Sequence, residues 1–309
     1  MVDTGRLHQE ATHRTGRVDI SVVIPVRNAA RLVVGAIDSV RRQDSSLNIE
    51  IIAVDDGSTD DTYERLQALD VTVRHYERSR GPGEARNAGV AAAAGEWVAF
   101  LDADDRWSPR HLATLWASRD GVDLVCSSCV TDTGSGLRVV GNHLPWGVTV
   151  ARPNELLRPE NLVSTSACMV RTSTMREVGC FPASRYFEDL EAWIRVVQKG
   201  RGRVLPDITV AYRTHQGQLT KNADGDAAQE RLRAMSDVGL IDPKMSAAFA
   251  GVEQWDGRRS QGGGRLEQVR QIPMASWPVV AQLLLRRVSV RHRWRLHASE
   301  AAELAAMLQ

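Results

Sequence analysis

The chain has 309 residues, 43% of them hydrophobic and 25% charged, with 39 basic and 38 acidic side chains and a net charge of +1. That composition argues against a disordered or collagen-like chain, and the near-zero charge excludes a global field that would draw in nucleic acid. A domain holds about 100–200 residues, so the length predicts one or two. The first seventeen residues carry Arg6, His8, His13, Arg14 and Arg17 but no apolar run, which argues against a secretory leader. Apolar stretches such as Trp97–Leu101 and Val279–Leu285 fall far short of the ~18 residues of a membrane span, so a cytoplasmic protein is expected.

From residue 18 onward, strand and helix patterns alternate. Asp19–Val26 is a short β-branched run suited to a strand buried on both faces. Ala29–Arg42 places Leu32, Val33, Ala36, Ile37 and Val40 at helical spacing. Ile49–Val54 reads as a second strand, followed by a Gly57-Ser58 turn and a helix that Thr59 or Asp60 caps. Val71–Tyr76 is a third strand, Gly83–Ala94 a third helix with Gly95 as its C-cap, and Trp97–Leu101 a fourth strand. This alternation predicts βαβ units and a mainly parallel sheet with its strand C-termini along one ligand-binding edge.

Beyond Asp105 the pattern loosens. Pro109–Ala117 reads as helix, Asp123–Thr131 as strand, and Leu137–Val150 as a hairpin-like excursion. Ser164–Arg171 is expected to be a strand, Glu188–Gln198 a helix and Val204–Tyr212 a strand. Composition shifts in the polar stretch Gln216–Gly225, after which Pro243, Gly262-Gly263-Gly264, Pro273 and Pro278 break a helical pattern. The chain therefore divides into a tail (1–17), an α/β body (18–222) and a helical C-terminal extension (223–309).

Four cysteines are too few for a disulfide scaffold in a chain of this size. Cys126 and Cys129 form a C-x-x-C, but on a strand residues three apart face opposite ways, so their sulfurs cannot share a metal. They read as small buried hydrophobes.

Acidic clusters fall where predicted strands end. Asp55-Asp56-Gly57-Ser58 follows the second strand and reads either as a turn with a helix cap or as a ligand site, since adjacent carboxylates need solvent, hydrogen bonds or a cation. Asp102-Ala103-Asp104-Asp105 follows the fourth strand, and three carboxylates in four residues suit a hard divalent cation such as Mg²⁺ or Mn²⁺. Zinc fits poorly, because no His or Cys lies beside them. Glu188-Asp189 opens a helix, where a carboxylate either caps the terminus or offers a general base to a cleft. Tyr212-Arg213-Thr214-His215 closes a strand, and His215 there reads as structural or as a metal or phosphate ligand. Between these lies Arg80–Gly89, whose Arg86 could meet phosphate or pack against the carboxylates through its planar fork. No Gly-Lys-Ser/Thr follows, so it is not a Walker loop. Where a dinucleotide fold needs G-x-G-x-x-G the chain reads Pro25-Val26-Arg27-Asn28-Ala29-Ala30, which disfavours a dehydrogenase.

Taken in order, Ser21–Asn28, Val54–Asp60, Ala85–Gly89, Leu101–Asp105, Glu188-Asp189 with Trp193, and Tyr212–His215 resemble the family-2 glycosyltransferases over about residues 19–222. The resemblance implies a GT-A (nucleotide-diphospho-sugar transferase) fold, with a nucleotide-binding half at 18–105 and an acceptor half at 106–222. It implies an inverting transferase that moves a sugar from a nucleotide-diphospho-sugar, a UDP-sugar above all, with Mn²⁺ or Mg²⁺ as cofactor. By that resemblance Pro25, Val26 and Asn28 shape the nucleoside pocket, Asp56 receives the base edge with Asp55 behind it, and Arg86 lies near the diphosphate. Asp104 is implied to bind the metal and diphosphate, with Asp102 or Asp105 reaching the ribose or a metal-bound water, Ala103 within the nucleotide site, and His215 a further ligand to the metal or phosphate. Asp189 corresponds to the general base and Glu188 to its neighbour. Arg27 departs from the family, standing where an aromatic residue is common. The loop 216–222 corresponds to the family's active-site lid.

Two rivals are a sugar-1-phosphate nucleotidyltransferase, whose glycine-rich opening loop is absent here, and an inactive sugar-nucleotide or glycan-binding module, which would not need Glu188-Asp189. The acceptor is expected from the variable second half, and a glycan, lipid-linked, natural-product or peptide acceptor all fit. Between Arg258 and His297 nine arginines face one acidic residue, Glu267. With Trp277, Leu283–Leu285 and Trp294 this stretch reads as a solvated helical face packed on the body, or as a peripheral contact with an anionic membrane or acidic acceptor.

Overall fold

The computed structural model describes residues 17–132, 137–141, 147–150, 163–183 and 188–214. The tail before residue 17, His215, the loop 216–222 and the extension 223–309 lie outside them, as does most of the segment 134–159. Among the described residues the architecture is one ten-stranded sheet with helices packed on it, in the order β3-β2-β1-β4-β9-β6-β10-β5, with β7 on β6 and β8 on β10.

The first half is built as its sequence dictates. β1 (Ile20–Val26) pairs in parallel with β2 (Ile49–Asp56) and with β4 (Trp97–Phe100), and β2 pairs in parallel with β3 (Thr72–Tyr76). β1 and β4 are buried at nearly every residue, as expected of parallel strands covered by helices on both faces. α1 (Val33–Arg41), α2 (Thr62–Gln67) and α3 (Pro82–Ala92) make the crossovers. α1 starts four residues later than its apolar spacing predicts, because Asn28 takes a left-handed backbone (φ 49°) and the N–H groups of Ala29 and Ala30 are taken by Thr62 Oγ1 and Asp60 Oδ2. α3 begins with Pro82 in its first turn, where a missing N–H costs nothing. It ends at Ala93 instead of at a Gly95 cap; the Gly95 N–H donates instead to Ser21 Oγ at 2.8 Å.

Beyond β4 the pairing becomes mixed. β9 (Cys168–Arg171) inserts antiparallel between β4 and β6 (Leu124–Asp132), and β10 (Gly202–Ala211) runs parallel to β6. The two-residue β5 (Arg106–Trp107) closes the far edge, antiparallel to β10. Among the described residues the two arms of the hairpin expected over Leu137–Val150 pair elsewhere: β7 (Leu137–Val140) with β6 and β8 (Val148–Val150) with β10. The strand expected over Ser164–Arg171 begins only at Cys168, after a 3-10 turn at Thr165–Ala167, and α5 (Thr172–Glu177) follows it directly. α4 (His111–Ala117) and α6 (Glu188–Lys199) complete the set. β3 is the outermost strand, with Thr72, Arg74 and His75 exposed.

The core runs through both halves, from Val22, Ile24 and Val33 to Met169, Trp193 and Val204. Phe100, Phe181 and Trp193 form an aromatic triad with centroids 5.1 to 5.9 Å apart and two edge-to-face contacts. It docks α6 against β4 and so sets where the start of α6 lies. Cys126, Cys129 and Cys168 are buried free thiols inside this core, and burial pushes Cys126 and Cys168 well above the usual thiol range and Cys129 up to about 12. They are buried packing groups, as expected of Cys126 and Cys129.

Gly89 sets how closely α3 lies on β1. A Cβ there would sit 2.9 Å from Val23 Cγ2 and closer still to Cγ1. In an open helix Gly→Ala gains up to about 1 kcal/mol, but overpacking costs about 1–3 kcal/mol, so packing decides the sign here. Gly89→Ala is expected to lower the unfolding free energy in urea titrations, and in a Val23→Ala background the same change is expected to be neutral or stabilising.

Candidate active site

Parallel strands bring their C-termini to one edge, so the ends of β1, β2, β3 and β4 deliver Asn28, Asp55-Asp56, the 77–81 loop and Asp102–Asp105 side by side. β9 runs the other way, so its beginning, the Thr165–Ala167 turn, reaches the same edge. α6 starts there too, with Glu188 and Asp189 in its first turn. Asp56, Asp104 and Asp189 therefore share one margin of the sheet. Adjacent strands are about 4.8 Å apart, so the ends of β2 and β4 are separated by roughly 10 Å across β1.

On the β1–β2 side the polar groups are already linked. Asp55 is fully buried; its Oδ1 accepts a hydrogen bond from Ser58 Oγ and its Oδ2 lies 2.7 Å from His75 Nδ1. His75 in turn lies tilted against Tyr63, with centroids 4.2 Å apart. Asp56 accepts three hydrogen bonds from the next loop: Arg80 N–H at 2.7 Å, Ser79 Oγ at 2.7 Å and Gly81 N–H at 3.0 Å. A carboxylate has about four lone-pair sites, so Asp56 keeps room for one more donor. The loop lies tight over the end of β2 because Gly57, at φ +65°, has no Cβ; one would fall 2.6 Å from Ser79 N. Asn28 ties β1 to the same turn, its Oδ1 accepting Thr59 N–H at 2.8 Å and its own N–H donating to Ser58 Oγ at 2.9 Å. Pro25 is half-buried, while Val26 is buried in the core, so Val26 offers backbone and not side chain to this edge.

On the β4 side Arg86 is the hub. It is 5% exposed, with Nη1 2.9 Å from Glu188 Oε1, Nη2 2.8 Å from Asp102 Oδ1, and its guanidinium 5.5 Å from the Phe181 ring. Burial alone would pull the guanidinium down; Asp102 and Glu188 outweigh that and hold it above its ordinary value. Glu188 is pushed up to about 7, chiefly by burial and then by the charge of Asp189, with Arg86 opposing. Asp189 is half-buried, and its Oδ1 accepts Leu190 N–H at 2.7 Å while Oδ2 accepts Thr165 Oγ1 at 3.1 Å. Burial raises it too; Arg86 and those two hydrogen bonds counteract, and Asp102 adds to the rise.

Asp105 points into the protein. It is 0% exposed, its Oδ1 accepts Arg213 N–H at 2.9 Å, and the Ser166 hydroxyl also bears on its carboxylate. Burial, followed by the charges of Asp104 and Asp102, pushes it well above the usual carboxylate range. Ala103 is buried and Asp104 is half-exposed. Among the described residues no three His, Cys, Asp or Glu side chains are preassembled around a metal position. The donor chemistry nevertheless fits a hard cation: three carboxylates fall in four residues, and two of them, Asp102 and Asp104, are only partly buried.

Three contributors are absent from the sequence reading. Thr165 and Ser166 sit in a stretch that reads as strand, yet Thr165 holds Asp189 and Ser166 Oγ accepts Asp102 N–H at 3.1 Å. The run Ser164-Thr165-Ser166 is the missed signal, since clustered hydroxyl residues at the mouth of an apolar run favour a turn. His75 is the third; register pairs it with Asp55, which only the structure reveals.

Comparison with known proteins bears on this arrangement. The family model described as "Glycosyl transferase family 2" matches residues 21–179. An uncharacterized glycosyltransferase of Nostoc sp. is 49% identical over 101 residues, and the succinoglycan biosynthesis protein ExoO of Rhizobium meliloti 42% identical over 100. Those matches span 31% of this chain each, and 31% and 28% of the relatives' own lengths. The pre-mycofactocin glycosyltransferase of Mycobacterium tuberculosis is 28% identical over 231 residues, 71% of this chain and 47% of that protein. Among solved structures, TarS 1-349 of S. aureus in complex with UDP-GlcNAc superposes with a TM-score of 0.59 at 19% identity, covering 87% of this chain and 79% of that one. The mannosyltransferase PcManGT of Pyrobaculum calidifontis, in complex with GDP-Man and Mn2+, gives 0.56 at 19%, covering 95% and 86%. With more than half of its length matched by the family model, the chain belongs to glycosyl transferase family 2 and has a GT-A fold.

Proposed function

We propose that this chain transfers a sugar from a nucleotide-diphospho-sugar to an acceptor nucleophile by a single displacement that inverts the anomeric centre, with Asp189 as general base. The observation that carries this reading is the placement of Asp189: half-buried, oriented through both oxygens, and on the same sheet edge as the Asp102–Asp105 motif. Asp189 takes the proton of the acceptor as its nucleophile attacks the anomeric carbon opposite the departing nucleotide. The nucleotide lies along the ends of β1 and β2, where Asp56 has one lone pair left for a base edge and Asn28 shapes the wall. TarS in complex with UDP-GlcNAc and PcManGT in complex with GDP-Man support the donor class, and UDP is the nucleotide we favour.

Asp104, with Asp102 beside it, would hold a divalent cation, and Mn²⁺ in the PcManGT structure supports that choice. When bound, such a cation offsets charge on the leaving diphosphate. Asp105 is better suited to support than to ligation, because it faces inward and clips Arg213. Arg86 holds Asp102 and Glu188 through one bond from each Nη, which leaves further N–H donors of its guanidinium for the diphosphate.

Asp189→Asn is expected to lower kcat by about 10²- to 10⁴-fold while UDP affinity, read by calorimetry, stays within about twofold; a wild-type rate in this variant would remove Asp189 from the mechanism. Because Asp189 is raised and must be ionised to act, kcat is expected to fall as pH drops through a limb above the usual aspartate range. Thermal shift by UDP is expected with Mn²⁺ or Mg²⁺ present and to be largely lost in EDTA, and equal shifts in both would remove the cation.

A further inference from the structure

Thr165 lies in the 3-10 turn that opens β9, is 5% exposed, and donates its hydroxyl to Asp189 Oδ2 at 3.1 Å. A carboxylate anchored at one oxygen can still turn about its terminal torsion, which is broad and roughly two-fold. Leu190 N–H on Oδ1 and Thr165 Oγ1 on Oδ2 remove that freedom together. The turn is itself rigidly seated: Trp107 Nε1 donates to Ser166 O at 2.6 Å, Ala167 N–H to Ser164 O at 3.0 Å, and Ser127 Oγ to Ala167 O at 3.4 Å. The next residue, Ser166, is fully buried and accepts Asp102 N–H. Successive Cα atoms are about 3.8 Å apart, so one peptide unit sets the spacing between the group that grips Asp189 and the group that grips the Asp102 motif.

We propose that Thr165 is a positioning residue for Asp189, fixing which carboxylate oxygen faces the incoming nucleophile and holding that oxygen in register with the donor-side acidic motif. This rests on the reading of Asp189 as general base. The charged and titratable groups that bear on Asp189 are Glu188 beside it on α6, Arg86 from α3, Asp102 after β4 and Cys168 on β9. Thr165 carries no charge, so Thr165→Val deletes one hydrogen bond at constant charge and nearly constant shape. A hydroxyl can only donate to an ionised carboxylate, and removing it disfavours the ionised form.

The test compares Thr165→Val, Thr165→Ser and Asp189→Asn in the full chain. One readout is the pH titration of the Asp189 side-chain carboxyl by carbon-detected resonance, assigned through Asp189→Asn. The other is nucleotide release from UDP-GlcNAc and from GDP-mannose with water as acceptor. Thr165→Val is expected to slow release on the order of tenfold to a hundredfold with donor KM unchanged, and to move the Asp189 titration to higher pH. Thr165→Ser is expected to restore both. A Val variant with wild-type release and titration overturns the proposal, as does a Ser variant that fails to recover what Val loses, which would mark a packing role. If Asp189→Asn is inactive in either case, the general-base reading stands on its own. If Asp189→Asn releases nucleotide as fast as the wild type, that reading falls and the proposal with it.

Discussion

Arg86 reaches from α3 between two carboxylates that the chain supplies from opposite halves, Asp102 after β4 and Glu188 at the head of α6. Acidic groups gathered on one edge repel one another, and burial makes each of them costlier to ionise. A planar guanidinium serves both at once through a rigid, pre-organised fork, which loses less freedom per hydrogen bond than an ammonium on a flexible stem. The pairing does not come free, since a buried ion pair stabilises only where the geometry offsets desolvation. Here the cation rests over the Phe181 ring, part of the triad with Phe100 and Trp193 that also docks α6. Apolar packing therefore places the helix, and the placed helix delivers Glu188 to its partner.

The change of strand direction beyond β4 accounts for the rest of the site. Had β9 run parallel, its hydroxyl-rich beginning would lie at the opposite end of the sheet, far from Asp102 and Asp189. Inserted antiparallel, it brings Thr165 and Ser166 to the edge where the parallel strands finish. β6 and β10, parallel to each other, bring Thr131 and Arg213 to the same side, and Arg213 N–H closes on Asp105. The acidic motif is thereby held from both halves of the sheet.

Much of this was legible from residues alone, and the boundary follows physical range. Buried parallel strands announce themselves as β-branched runs, so β1, β2 and β4 were readable, as was the amphipathic α6 with its acidic first turn. The carboxylates at strand ends were readable because hydrophobic runs do not end in clustered Asp by propensity. What stayed hidden depends on pairing across the sheet. The two-residue β5 carries no periodicity, and the stretch from 137 to 150 resembles a hairpin because local sequence cannot say that β7 chooses β6 and β8 chooses β10. Arg86 was legible as a partner for either phosphate or carboxylate, and the carboxylates it meets, Asp102 and Glu188, come from distant parts of the chain. Thr165 and His75 were invisible for the same reason: each matters through a residue more than fifteen positions away.

β3, the outermost strand among the described residues, leaves a row of backbone donors and acceptors without a neighbour on one side. Such a margin invites a second chain to dock by strand addition, the first step of ordered aggregation. Exposed Arg74 and His75 sit on that strand, and at the other end of the sheet β5 is only two residues long. Arg74 on one flank and brevity on the other make both of these margins poor templates for an added strand.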